Sequence, residues 1–242
     1  MKLRSLLAFL KCTPFHPQWF AFRQQRGTQL VVRRHARGLV LDIGCSNKAV
    51  AQCLTPECRY VGLDYPDTAR HWYHTRPDVF GDAQRLPFAD GTIDTVLLLD
   101  VLEHLPFPDK ALASIVRVLR GGGHLILQVP FIYPIHDAPL DFRRWTLFGL
   151  RSSLRELGLV CEVEQYYGEP LETAALTLNI ALSKTMLNCL AQRSPASLLL
   201  PMLPFAILLA NLAGWCLARI GGSDSMMPIG YLMVVRKPCP AS

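Results

Sequence analysis

The sequence predicts an α/β protein built on a mostly parallel sheet. Three observations point there. Short apolar runs recur between residues 39 and 235 and alternate with stretches of helical periodicity. Two of the runs end directly in Asp-x-Gly or Asp, a strand running into a polar turn. Half of the residues are apolar and 18% are charged, which excludes a disordered chain and supplies a sizeable core.

The elements follow in order. Residues 17–36 read as a helix, with Trp19, Phe20, Phe22, Leu30 and Val31 set among basic residues. Leu39–Ile43 is a buried strand, Lys48–Leu54 one short helix, Tyr60–Leu63 a second strand, and Val79–Phe80 a very short third. Thr92–Leu99, rich in Val and Leu, is the fourth strand. Asp109–Leu119 places Leu112, Ile115, Val116 and Leu119 at amphipathic helical spacing, and Gly121–Gly123 stops it. His124–Val129 is the fifth strand, Trp145–Leu157 a helix ended by Gly158, and Leu159–Tyr166 and Tyr231–Val235 complete the set. Alternation of this kind implies βαβ units, whose ligands sit beyond the carboxyl ends of the strands.

Charge and cysteine use narrow the class. The net charge of +6 is uneven: residues 1–41 hold eight Lys or Arg and no acid, and the rest of the chain is slightly acidic. A nucleic-acid partner is therefore not expected, since no aromatic-interleaved basic stripe appears. The eight cysteines include no C-x-x-C pair and several lie in apolar runs, so reduced thiols in a cytoplasmic protein are expected. The apolar stretch Leu6–Leu10 is too short for the core of a secretion signal. His71 and His74 stand three apart without further ligands, so no metal site is expected.

The residues that carry chemistry lie at strand ends. In Val40-Leu-Asp-Ile-Gly44-Cys-Ser-Asn-Lys an apolar strand enters a Gly turn, which brings backbone N–H groups close to a ligand. The pattern is G-x-S-x-x-A, not the G-x-G-x-x-G of nicotinamide binders, and Asp42 would repel a pyrophosphate but favour an amino-bearing ligand. Asp64 ends the second strand 22 residues after Asp42, where an acid accepts both hydroxyls of a ribose. Asp82 follows the third strand and is placed to accept from an adenine amino group.

With VLDIGCS, YVGLD, GDAQRLPFADGTIDTV, LLLDVLEHL and RVLRGGGHLILQVP in this order, residues 38–165 resemble the class I S-adenosylmethionine-dependent methyltransferases, specifically the methyltransferase type 11 group. The resemblance implies a Rossmann-like, doubly wound, seven-stranded sheet whose last strand is antiparallel and inserted beside the fifth. It implies S-adenosylmethionine as cofactor. Asp42, Gly44, Cys45 and Ser46 would line its methionine part, Asp64 its ribose, Tyr65 its adenine, Asp82 and Ala83 the adenine edge, and Asp100 the methionine end. Ser46 departs from the family, which usually has Gly there.

The loop after the fifth strand, 129–146, also resembles a Tyr-Pro-x-His-x-x-Pro-x-Asp-Phe/Tyr-x-Arg pattern in type 11 enzymes of surface-glycan synthesis. His136 is the expected general base, oriented by Asp141, with His104 as its rival. Tyr133, Arg143, Arg144 and Trp145 are expected around the substrate, an arginine meeting an anionic group such as phosphate. The plainer alternatives are that Asp141 caps the next helix and pairs with Arg143, that Trp145 is core, that His136 is a structural hydrogen-bonding residue, and that His104 is a helix-end residue bonded to backbone.

Pro195–Ala218 holds 24 residues without a charge, and 17 of the 21 residues in Leu198–Ala218 are apolar. A single crossing of a bilayer would carry the last strand away from its sheet. Thr173–Leu190, with Asn179, Lys184 and Asn188, reads as an amphipathic helix and not as a second span. An element lying in one leaflet at the cytoplasmic membrane face, with the basic arm toward anionic lipid, is the expectation; burial against the domain is the alternative. The expected organisation is a basic helical arm at 1–37, a cofactor-binding core at 38–168, an apolar helical insertion at 169–228, and the final strand at 229–242. The expected activity is methyl transfer to a small-molecule or lipid-linked glycan acceptor, with a nucleic-acid methyltransferase or a non-catalytic module as alternatives.

Overall fold

The computed structural model describes residues 8–239. Seven strands form one sheet in the order β3-β2-β1-β4-β5-β7-β6. They are β1 Leu39–Ile43, β2 Arg59–Asp64, β3 Val79–Phe80, β4 Ile93–Leu99, β5 Leu119–Pro130, β6 Val160–Tyr167 and β7 Gly230–Arg236. The pairs β1–β2, β1–β4, β2–β3 and β4–β5 are parallel, whereas β5 and β7 are antiparallel, as the resemblance implied. The chain order reverses between β1 and β4, so the tips of β1, β2 and β4 open onto one crevice at the switch point.

The helices are α1 Trp19–His35, α2 Pro108–Val118, α3 Leu147–Glu156, α4 Pro170–Ala191 and α5 Leu203–Ile220. Several sequence expectations shift by local chemistry. The stretch 48–54 holds only a 3-10 helix, Ala49–Cys53. The glycines 121–123 lie inside β5, because α2 ends directly at Val118 and the strand starts at Leu119. Trp145 precedes α3, which begins after Thr146 because that side chain accepts from the Gly149 amide.

The chain divides into two compact units. The larger holds residues 28–131, 135–165 and 230–239. Its core sets Val31 and Val32 of α1, and Ala36 just after it, on Val40, Leu97, Ile126, Leu232 and Val234 of the sheet. Strands buried on both faces read as continuous apolar runs, which is why β1, β4, β5 and β7 were legible. On α2, Ala111, Leu112, Ile115 and Val118 are buried at three- and four-residue spacing.

The second unit holds residues 8–27, 132–134 and 166–229, so the start of α1 groups with the apolar insertion and not with an arm reaching to residue 37. Phe20, Tyr167, Leu176 and Ile229 form its core. Helices α4 and α5 pack closely at Gly214, where a Cβ would meet the Leu171 carbonyl oxygen at 2.8 Å. Asn179 donates to Asn211 Oδ1 at 2.8 Å, and Asn211 donates to the carbonyls of Pro14 and His16. Two helices here, not one, are long and apolar enough to cross a membrane: Pro170–Ala191 and Pro195–Ile220. Of the polar residues that argued against the first, Asn179 is buried and donates to Asn211 inside the pair.

Candidate functional site

A cavity of ≈ 470 Å³ opens at the carboxyl edge of the sheet, within the larger unit, in the size range of small-molecule sites. Gly44, Ser46, Asp64, Tyr65, Asp82 and Asp100 are among its lining residues, as are Ala83 and His104.

The turn after β1 shapes one wall. Gly44 has φ +74°, and a Cβ there would stand 2.5 Å from Val101 Cγ2, so only Gly fits between the turn and the segment after β4. The amides of Gly44 and Cys45 both donate to the Leu63 carbonyl, and that of Ser46 donates to Asp64 Oδ2 at 3.1 Å. These N–H groups are thus used inside the turn, contrary to the expectation that they face a ligand. Ser46 adopts φ 43°, a left-handed conformation in which its Cβ is strained.

Asp64 is 4% exposed and holds the turn and the next segment together. Its Oδ1 accepts from the Tyr65 amide at 2.8 Å and from the Thr68 hydroxyl at 3.0 Å. Two oxygens can accept about four hydrogen bonds, so three internal donors leave acceptor capacity toward the cavity. Asp82 accepts from the Gln84 amide at 2.8 Å. Asp100, at φ 54°, accepts from Gln128 Nε2 at 2.6 Å, and Gln128 accepts in turn from Thr28. Burial raises the Asp100 carboxyl above its ordinary range. Three carboxyl groups at three strand tips, around a cavity of this size, fit a nucleoside carrying an amino-acid tail.

Asp42 and Cys45 do not line that cavity. Asp42 is 4% exposed, and Tyr60 donates to it at 2.6 Å. Cys45 is buried against Gly62, where a Cβ would meet its sulfur at 2.8 Å. Burial pushes its thiol up to about 12, so it is an inert packing residue. Burial also pushes the Asp42 carboxyl up to about 7, against the lowering effect of Tyr60. A raised acid in the folded state means that stability is full below about pH 4 and falls as pH rises to about 7. Asp42→Asn is therefore expected to flatten that fall. Comparing urea unfolding at pH 5 and pH 8, the wild type should lose on the order of 3 kcal/mol more than the variant. Equal losses would mean that Asp42 is ionised at no cost.

The loop after β5 docks on the 3-10 helix Leu102–His104, with the Phe142 amide donating to the Glu103 carbonyl at 3.0 Å. Here the structure joins His104, His136 and Asp141, which lie far apart or in loop in the sequence. The two imidazoles meet edge to face at 4.8 Å. The His136 amide donates to Asp141 Oδ2 at 3.0 Å, and its Nδ1 stands 3.3 Å from the same oxygen. His104 Nδ1 donates to the Leu140 carbonyl at 2.9 Å, and burial lowers its pKa. Asp141 caps no helix. Its side chain is 1% exposed and is gripped by both terminal nitrogens of Arg144, one at 2.7 Å. That guanidinium holds the carboxyl down at about 2.

The other expected substrate residues separate. Arg144 is committed to Asp141. Arg143 is exposed and donates to the Pro106 carbonyl at 3.3 Å. Trp145 has its indole N–H buried without a hydrogen-bond partner. Tyr133 belongs to the second unit, where its hydroxyl accepts from Gln18 at 2.7 Å. Sequence reading missed Glu103, a fully buried carboxylate between the two histidines. The only signal was its position, one residue before His104 and just past a strand tip.

Residues 41–127 match the family described as a methyltransferase domain. Among curated proteins, a probable S-adenosylmethionine-dependent methyltransferase of Mycolicibacterium smegmatis is 32% identical over 131 residues, covering 51% of this chain and 51% of the relative. A fatty-acid O-methyltransferase of the same organism is 33% identical over 115 residues, covering 44% and 40%. The chain spans about half or less of the length of the curated relatives it matches. Among solved structures, the [4+2]-cyclase SpnF has a TM-score of 0.57 at 20% identity, covering 89% of this chain and 81% of that one. That likeness concerns the fold alone, since one fold hosts several reactions.

Proposed function

We propose, from the premise that residues 41–127 form a methyltransferase domain of the S-adenosylmethionine-dependent class I kind, that this chain methylates a hydroxyl of a lipid-like or lipid-linked small molecule. The observation that carries this reading is the cavity at the switch point, with Asp64, Asp82 and Asp100 on its wall. Asp64 suits a ribose diol, Asp82 with Ala83 and Tyr65 the adenine, and Asp100 the amino-acid end. When bound, S-adenosylmethionine supplies a methyl group on a sulfonium, so the protein needs only to align an acceptor and manage one proton.

His136 is the residue for that proton. Asp141 faces its Nδ1, and a carboxylate so placed keeps the ring proton on Nδ1 and leaves Nε2 as the acceptor. Arg144 fixes the carboxylate's charge and direction. Arg143, the exposed cation of the loop, suits a phosphate on a lipid-linked acceptor.

The second unit supports the lipid class. Leu198, Met202, Phe205, Leu209 and Leu212 recur every three or four residues and are exposed, Leu198 by 83%. A stripe of this kind, with the exposed cations Lys11, Arg193 and Arg219 in the same unit, suits the cytoplasmic face of an anionic membrane. The relative named for fatty-acid O-methylation points the same way.

The test is methyl transfer from radiolabelled S-adenosylmethionine to a total cell extract by the full chain. Label is expected in the organic phase. Label confined to nucleic acid would favour the alternative methyltransferase reading, and label confined to protein would overturn the lipid assignment.

A further inference from the structure

Glu103 has no role in the scheme above. It is fully buried, and neither of its oxygens has a hydrogen-bond partner. A carboxylate left so would cost several kcal/mol. Such a group is retained where something compensates it.

What faces it are two imidazoles. The Nε2 of His104 stands 3.8 Å from Glu103 Oε1, and the Nε2 of His136 stands 3.9 Å from the same atom. Both distances are too long for hydrogen bonds. Each ring is oriented through its other nitrogen. His104 Nδ1 donates to the Leu140 carbonyl, and His136 Nδ1 faces Asp141, itself clamped by Arg144. A neutral imidazole with its proton on Nδ1 presents a lone pair at Nε2. Two lone pairs and one carboxyl oxygen therefore converge, with all three ligand atoms within 4.8 Å of one another.

The two nitrogen–oxygen distances, 3.8 and 3.9 Å, suit a shared ion. Ligands at roughly 2.0–2.2 Å from a zinc-like ion lie roughly 3–4 Å apart. The partners behind the imidazoles are those that metal-binding histidines use to fix their tautomer. We infer that Glu103, His104 and His136 bind one divalent transition-metal ion of the zinc class. Two nitrogens and one oxygen disfavour calcium and magnesium, which take oxygen ligands. Three protein ligands leave a coordination position open, and His104 lines the cavity. On the methyltransferase reading, that position would take the acceptor hydroxyl and lower its pKa, the proton passing to water in the cavity. His136 is then the proton acceptor of the metal-free protein and a ligand in the loaded one.

The test uses the full chain, stripped by chelator and titrated with Zn²⁺ against a chromophoric competitor and, separately, with Co²⁺. One ion per chain is expected, and Co²⁺ should give visible ligand-field bands without a thiolate charge-transfer band. Glu103→Gln, which keeps the side chain's shape, and His136→Ala should each weaken Zn²⁺ binding about 100-fold or more. His124→Ala, whose imidazole pairs with Glu162 outside the cluster, should leave it unchanged. A thiolate band, no bound ion, or unchanged affinity in both cluster variants would overturn the inference. Calorimetry of S-adenosylmethionine on the same stripped protein separates this outcome from failure of the methyltransferase reading, because heat there depends on the strand-tip carboxylates.

Discussion

Asp64→Ala is expected to weaken S-adenosylmethionine binding about ten- to a hundred-fold and to lower stability at the same time. The carboxylate is 4% exposed and answers three donors: the amides of Ser46 and Tyr65 and the hydroxyl of Thr68. Its loss leaves those donors unsatisfied, at about 1–3 kcal/mol for each that water does not reach. It also removes the anionic acceptor for a ribose diol. A hydrogen bond to a charged group contributes about 1.5–3 kcal/mol, so the one that the remaining acceptor capacity takes corresponds to roughly one to two powers of ten in affinity. Asp64→Asn separates the effects. It keeps one acceptor oxygen and the shape, so it should recover much of the stability and little of the binding. Isothermal calorimetry at 25 °C with thermal unfolding of the same samples reads both. Unchanged affinity in Asp64→Ala would move the cofactor away from the tip of β2.

Asp141 produces the second large effect. Asp141→Ala breaks a charge pair whose acid is 1% exposed and releases the His136 amide. Arg144 keeps partial contact with water, so the expected loss is about 2–3 kcal/mol, below the range for a wholly buried pair. The depressed carboxyl also sets a sign. With its folded value at about 2, mainly through Arg144, the stabilisation is present above about pH 4 and is lost as pH falls toward 2. Asp141→Asn should remove that acid sensitivity, seen as a smaller difference between urea midpoints at pH 7 and pH 3. In the metal-free protein the same variant should lower kcat by about ten- to a hundred-fold with KM nearly unchanged, because it disturbs the tautomer of His136 and no group that binds substrate. A proportional rise in KM would make Asp141 a substrate-binding residue.

The parts of this molecule that the sequence made legible share one cause. Strands buried on both faces must be apolar throughout, so β1, β4, β5 and β7 show themselves without a partner in view. Parallel strands joined by crossovers must also end at one edge, so Asp64 and Asp82 could be assigned to a common crevice before any coordinates, with Asp100 added by the family resemblance. Side-chain direction was not legible in the same way. Asp42 lies within β1 and meets Tyr60, and Cys45 turns into the packing above Gly62. The turn amides, expected at the ligand, close on Leu63 and Asp64 instead.

Other features arise only from long-range approach. The polar residues of 173–190 argued against a second long apolar helix, but Asn179 finds Asn211 across the close contact that Gly214 permits. Arg143 and Arg144 are equivalent in the sequence, and the backbone path decides that one grips Asp141 and the other reaches Pro106. Glu103 and His104 sit 32 or more residues before His136, and no spacing rule links them. The sequence by itself determined the α/β sheet and the carboxylates at its edge, because burial pattern and crossover topology act strand by strand. Only the tertiary structure decided which nitrogen and oxygen atoms face one another in the His–Glu cluster, since that depends on a loop after β5 folding back onto the turn after β4.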